Sequence, residues 1–157
     1  MSRHAGPLYR PACLNRFTAE TPRTQRSAEE TLKDWNDISG AIVDAAIQVH
    51  SALGPGLLES TYTTCLAYEL QQRGLAVQTQ APLPVVYKHI TMPVGHRVDL
   101  IVEDAVIVEL KTVASLLPIH RARLLTYLRL SGRRLGLLLN SHVPRMRDGI
   151  KRLVNRL

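Results

Sequence analysis

The sequence predicts an α/β (α+β) domain. Apolar residues recur every three or four positions on both sides of the chain's middle, while the middle itself, from about 75 to 112, breaks into short β-branched runs separated by turn residues. With 157 residues and a hydrophobic fraction of 45%, the chain is long enough to bury one core without disulfides or structural metals.

Residues 1–34 mix Pro, Arg, Ser and Thr with almost no periodic apolar positions, so they predict an unstructured basic and polar tail ahead of a single domain over 35–157. The first helix is expected from Asp37 as N-cap, with Ile38, Ile42, Ala45, Val49 and Ala52 on one face and Gly54 as its end. After the Gly54-Pro55-Gly56 break, Leu58, Tyr62, Cys65, Leu66 and Leu70 predict a second helix, closed by Gly74. The stretches "LAVQTQ", "LPVVYKHI", "HRVDLIV" and "AVIVELK" read as a meander of three or four strands, with "TMPVG" and "ED" as turn material. A third helix is expected over 118–130, closed by Gly132, followed by the short buried strand "RLGLLLN". Pro144 then opens a last helix with Met146, Ile150, Leu153, Val154 and Leu157 on one face.

Several function classes drop out early. No stretch approaches the roughly 18 apolar residues that cross a membrane. The amino terminus has no apolar run followed by a small-residue cleavage site, so cytoplasmic residence is expected. Two cysteines, Cys13 and Cys65, suggest neither a disulfide framework nor a thiolate metal site, and the six histidines lack zinc-like spacing. The net charge of +7 hides a gradient. Residues 41–120 hold 4 basic and 7 acidic groups, and residues 121–157 hold 10 basic and 1 acidic. That distribution suits a divalent cation beside a polyanion, and equally a solvated charged surface.

The chemistry concentrates in "VDLIVEDAVIVELK", residues 98–111. Glu109 and Lys111 are two apart on a strand and share a face; Leu110 points to the other. Asp99 lies on the preceding strand. A two-residue turn at 103–104 pairs it with Val108 and separates the acids by face, whereas a three-residue loop or a bulge pairs it with Glu109. Two converging carboxylates with the Leu110 carbonyl form a hard oxygen site suited to Mg²⁺ or Mn²⁺, and Lys111 beside it would position a water or stabilise developing negative charge. The alternative is a plain Glu109–Lys111 ion pair on an edge strand, worth at most about 1 kcal/mol. Glu59, in the first turn of the second helix, also has a simple reading, as an acid at the positive end of a helix dipole.

These stretches resemble a known family. "VDLIVEDAVIVELK" resembles the D…(D/E)-x-K signature of the PD-(D/E)XK nuclease superfamily, and Gly56, Glu59 and Tyr62 match the spacing that names its GxxExxY family. The likeness runs from about 38 to 154 and takes in "HSALGPGLLESTY", "YELQQRG", "LLTYLRL" and "VPRMRDGIKR". It implies a restriction-endonuclease-like αβββαβ core, a mixed sheet flanked by helices, and an Mg²⁺- or Mn²⁺-dependent nuclease acting on nucleic acid, DNA foremost. It implies Glu59, Asp99 and Glu109 as metal ligands and Lys111 as the catalytic lysine. A non-catalytic module binding nucleic acid or protein on the same fold is the alternative. Two positions depart from the pattern: Arg123 stands where a related branch carries glutamine, with Tyr127 retained, and Ser141 follows Asn140 where an aromatic is common, which predicts looser packing there.

Arg123 adds a permanent charge able to bind a phosphate or compete with a metal. Tyr127 and Tyr62 either touch a ligand or pack with a hydroxyl at the core edge. His50 is expected to cap carbonyls near the end of the first helix. Arg145, Arg147 and Arg152 fall on the polar side of the expected last helix, tracking phosphates or staying solvated. No aromatic platform for stacking single-stranded bases is evident.

Overall fold

A computed structural model describes residues 34–155. The tail expected over 1–34 and Cys13 therefore lie, Asp34 aside, outside the described residues. In chain order the elements are α1 (Trp35–Leu53), α2 (Glu59–Gln72), β1 (Val77–Tyr87), β2 (Ile90–Val102), β3 (Val106–Lys111), α3 (Pro118–Ser131), β4 (Leu135–Asn140), a 3-10 turn (Met146–Gly149) and β5 (Ile150–Val154). The α+β class and the αβββαβ order follow the expectation. The sheet order is β1-β2-β3-β4-β5, with β3 and β4 parallel and every other pair antiparallel.

Helix α1 starts at Trp35, two residues before the expected Asp37 cap, and the Arg134 guanidinium stands 4.6 Å from the centre of the Trp35 ring. Gly74 follows α2 at φ 76°, and Gly132 follows α3 in the left-handed conformation at φ 66°. Glycine adopts that conformation at no steric cost. Pro118 opens α3, and His120 Nδ1 accepts from the Leu117 N–H at 3.2 Å, satisfying one of the donors a helix start leaves free.

The meander differs from expectation in its first half. "LAVQTQ" and "LPVVY" form one strand, β1, and "TMPVG" is strand rather than turn. The reversal is a two-residue turn at Lys88-His89, with Lys88 at φ 55° and Tyr87 paired to Ile90. Neither residue is a usual signal for a tight hairpin. A register shift between Leu83 and Val85 absorbs Pro84 and Gly95 into the ribbon, and a Cβ on Gly95 would collide with the Val85 side chain.

The carboxyl-terminal segment is the main correction. It forms a 3-10 turn and then strand β5, paired antiparallel to β4, and not the helix expected after Pro144. The apolar residues Met146, Ile150 and Leu153 are spaced as on a helix, and in the strand Ile150 and Leu153 pack into opposite layers. The unpaired edge of β4 decides, because a strand there satisfies backbone groups that a helix would leave open. Gly149 permits the turn: a Cβ at that position would run into the Asn140 carbonyl.

The sheet separates two apolar layers. On one face Leu100, Val102, Val106, Val108, Leu110 and Leu137 pack beneath α1 and α2. On the other, Val98, Ile101, Ile107 and Leu138 pack beneath Leu124, Tyr127 and Leu128 of α3. No described helix is long and apolar enough to cross a membrane.

Candidate active site at the ends of the parallel strands

The connection β3–α3–β4 joins two parallel strands, so both strand ends open on the same rim, where loop and helix residues can gather without interrupting the ladder. The β2–β3 hairpin determines what meets there. Its pairs are Leu100–Val108, Ile101–Ile107 and Val102–Val106, which makes Glu103, Asp104 and Ala105 a three-residue loop, with Glu103 and Asp104 at φ 52° and 53°. Of the two registers the sequence left open, this is the one that, continued past its last pair at Leu100–Val108, brings Asp99 level with Glu109.

Pairing of β2 with β3 stops at Leu100. One residue further on, the Asp99 carboxylate replaces a backbone partner, accepting from the Leu110 N–H through Oδ2 at 2.9 Å. The two strands part here, leaving the Leu110 carbonyl, on the same edge of β3, open to side chains. The Lys111 ammonium takes it up by hydrogen bonding to Leu110 O, and also meets Glu109 Oε1 at 3.0 Å and Glu59 Oε1 at 3.3 Å. Glu59, distant in sequence, thus shares the Lys111 ammonium with Glu109 and the Leu110 carbonyl, and Asp99 flanks them. Glu59 faces this rim, so it does more than favour a helix dipole.

Charge and burial set the protonation states. Glu109 is 4% exposed, and burial, then the charge of Asp99, pushes its carboxyl above the ordinary carboxylate range against the opposing pull of Lys111 and Arg123. Burial alone would lower Lys111. The charge and hydrogen bond of Glu109, with the charges of Glu59 and Asp99, outweigh it and hold the ammonium above its ordinary value, so it stays protonated. Tyr127 is buried on α3 one turn beyond Arg123. Burial, then the Glu109 charge, raises its phenol against the opposing charges of Arg123 and Lys111.

Asp99, Glu109 and the Leu110 carbonyl fit a hard divalent cation in kind: all three donors are oxygens and two are carboxylates. Glu109 Oε2 is buried with no hydrogen-bond partner, a position that invites a cation or a donor. Glu59 meets Lys111 instead of closing a three-carboxylate group. Among the described residues, no group of three or more His, Cys, Asp or Glu side chains is placed to hold a metal.

Among the supporting residues, Gln80 carried no sequence signal. Gln80 donates to Asp99 Oδ1 at 3.2 Å from a backbone at φ 50°, a conformation that costs a non-glycine residue about 1–3 kcal/mol. Asn140 clasps the loop after β3, accepting from the Val113 N–H at 3.1 Å and donating to its carbonyl at 2.8 Å. Ser141 does not loosen the packing as its departure from the family pattern predicted. It is 1% exposed, its hydroxyl is 2.8 Å from that of Thr112, and its N–H donates to the Lys111 carbonyl at 2.8 Å. His50 reaches across to the Ser141 carbonyl (Nε2 at 3.2 Å) and stacks on Tyr62, so it ties α1 to the β4 end and does not cap its own helix.

The basic residues disperse. Arg145, just before the 3-10 turn, and Arg147, within it, are exposed and, with His50, Pro55 and Pro144, line an open groove of about 490 Å³; Arg145 also pairs with Asp148 at 3.1 Å. Arg152 lies on edge strand β5 and donates to Asn36 Oδ1 at 2.8 Å. The single basic helix face expected from the sequence does not exist.

A search of curated proteins and a search of solved structures each returned no match. A family model for the PD-(D/E)XK nuclease superfamily matches residues 36–153, which include every element from α1 through most of β5. With that match over three quarters of its length, the chain belongs to the PD-(D/E)XK nuclease superfamily.

Proposed function

We propose that this protein is a metal-dependent nuclease of the GxxExxY type that hydrolyses phosphodiester bonds in DNA. The observation that carries the reading is the parting of β2 from β3 at Asp99, which exposes the Leu110 carbonyl beside Glu109, whose Oε2 is buried without a partner, and beside a protonated Lys111. Asp99, Glu109 and the Leu110 carbonyl would hold Mg²⁺ or Mn²⁺. Such an ion, when bound, polarises a phosphodiester and lowers the pKa of a bound water.

The chain's own groups account for the rest. The Asp99 carboxylate is oriented by Gln80 and by the Leu110 N–H, so its direction is set before any ligand arrives. Lys111, kept protonated by its carboxylate neighbours, places a fixed positive charge where negative charge develops on the phosphate. Glu59 anchors that ammonium from α2. Arg123 adds a second cation over the carboxylates from α3, suited to a neighbouring phosphate oxygen.

A second reading has one specific observation in its favour. Lys111 and Arg123 between them offset much of the carboxylate charge, as a site that binds a polyanion without cleaving it would require. Purified protein incubated with duplex, single-stranded and branched DNA in Mg²⁺ or Mn²⁺ separates the two. Metal-dependent cleavage that Lys111→Ala lowers by about a hundredfold or more supports the nuclease. Binding without cleavage in either metal leaves the binding module.

A further inference from the structure

The β1–β2 ribbon carries residues that the site does not use. The two strands pair with each other from Val77–Val102 out to Tyr87–Ile90, yet β2 pairs with β3 only from Leu100 to Val102. The inner part of the ribbon is packed: Ala81, Leu83 and Val98 lie buried against α3. Beyond it, residues 84–93 form an arm on which every residue but the half-buried Val85 is exposed. Four of them are large and apolar, Val86, Tyr87, Ile90 and Met92, at 62%, 61%, 55% and 44% exposure. A two-stranded ribbon that no described helix or strand covers is marginal alone, and apolar side chains concentrated at its tip mark a contact surface.

Its charge and attachment indicate what it contacts. Between residues 77 and 98 there is no Asp or Glu, while Lys88 and Arg97 supply cations. The arm is rooted in the site: Gln80 holds Asp99, and the His96 ring lies 5.2 Å from that of Tyr127. A second copy of the chain fits poorly. Pro82 and Pro84 remove N–H donors from the β1 edge, which blocks strand addition there, and a ten-residue tip falls well short of the roughly 20–30 residues per side of a stable interface. The major groove of a duplex, about 12 Å wide, admits a two-stranded β-ribbon and presents phosphates to its flanks and base edges and thymine methyls to its tip.

We infer that the β1–β2 arm is a duplex-binding device that lies in the major groove next to the scissile phosphate, with Tyr87 and Ile90 against base edges and Lys88 and Arg97 on the flanking phosphates. The inference rests on the nuclease reading and adds duplex DNA as the substrate form.

Affinity for a 20-base-pair duplex and for a single strand of the same length, measured by fluorescence anisotropy without divalent metal over a salt series, tests it. Tyr87→Ser/Ile90→Ser should weaken duplex binding by about tenfold or more while changing single-strand binding by less than about twofold. Lys88→Gln/Arg97→Gln should reduce the slope of log affinity against log salt by about two. Because these side chains are exposed, melting temperatures should stay at the parent's; should a double variant fail to fold, Tyr87→Ala alone replaces it. If the parent binds duplex and both double variants bind as tightly, the arm inference is overturned and the nuclease reading stands. Equal losses on duplex and single strand overturn the duplex assignment. If the parent sediments as a dimer that Tyr87→Ser/Ile90→Ser dissociates with duplex affinity unchanged, the arm serves a second copy and the inference falls. A parent that binds neither form removes the nucleic-acid reading and the inference with it.

Discussion

On β3 the side chains of Val106, Val108 and Leu110 enter the layer under α1 and α2, and those of Ile107, Glu109 and Lys111 enter the layer under α3. All six residues are buried. The first layer stays apolar to the strand's end, where Leu110 and Leu139 close against Ala46, Val49 and Leu66 and leave a void of only about 10 Å³. In the second, Leu124, Tyr127 and Leu128 cover Ile107, but the next two positions toward the rim are an acid and a base. Two helices cover the first face and one the second. The uncovered stretch is where the chain accommodates charge, and the price is a buried pair whose members depend on each other. That dependence is a general property of buried ion pairs: their net contribution is small, whereas removing one partner is costly.

The sharpest way to break the comparison is to remove one member of the pair. Lys111→Met leaves Glu109 buried without its main counter-charge, and equilibrium denaturation at pH 8 should show a loss of about 3–5 kcal/mol. The sign with pH follows from Glu109. Its folded-state pKa is already above the unfolded value of 4.5, and removing Lys111 raises it further. Folding then favours the protonated acid, a contribution fully present below pH 4.5 and lost as pH rises through the folded value. The gap between variant and parent should therefore narrow as pH falls toward 5. A loss that is the same at pH 5 and pH 8 would show that Glu109 does not carry it.

On the apolar face, Leu100→Ala removes a side chain with no exposure, and the loss should be about 2–5 kcal/mol. Tyr62, the phenol buried in that core cluster, is raised above its ordinary 10.0 by burial and stays neutral over this range, so this loss should be the same at pH 5 and pH 8 in the same denaturation series. Equal pH profiles for Lys111→Met and Leu100→Ala would erase the distinction between the two faces.

The smallest effect concerns a polar atom caught in the apolar layer. The Tyr62 hydroxyl is buried without a hydrogen-bond partner, and burial raises its pKa. Tyr62→Phe removes an unsatisfied donor while keeping the ring stacked on His50, so stability should hold or rise by about 1 kcal/mol. A loss of more than about 1 kcal/mol on thermal denaturation would mean that the hydroxyl is satisfied after all, by a water in the adjoining void.

What the sequence by itself determined is what local periodicity and residue type can encode. The first three helices, the buried β4 and the shared face of Glu109 and Lys111 follow from spacing alone, because a 3.6- or 2-residue period fixes which side chains point together. The "D…ExK" and Gly56-Glu59-Tyr62 spacings were legible for the same reason. Tertiary structure decided the rest. The loop at 103–105 chose the register that brings Asp99 level with Glu109, a choice the sequence left open between two turns. The free edge of β4 drew residues 150–154 into a strand although their spacing suited a helix, since backbone groups at an open edge must find partners and those of a surface helix already have them. Gln80 and Ser141 support the site through contacts to Asp99, Thr112 and the Lys111 carbonyl. A glutamine in a strand or a serine after one is ordinary in sequence and acquires a role only from what the fold sets beside it.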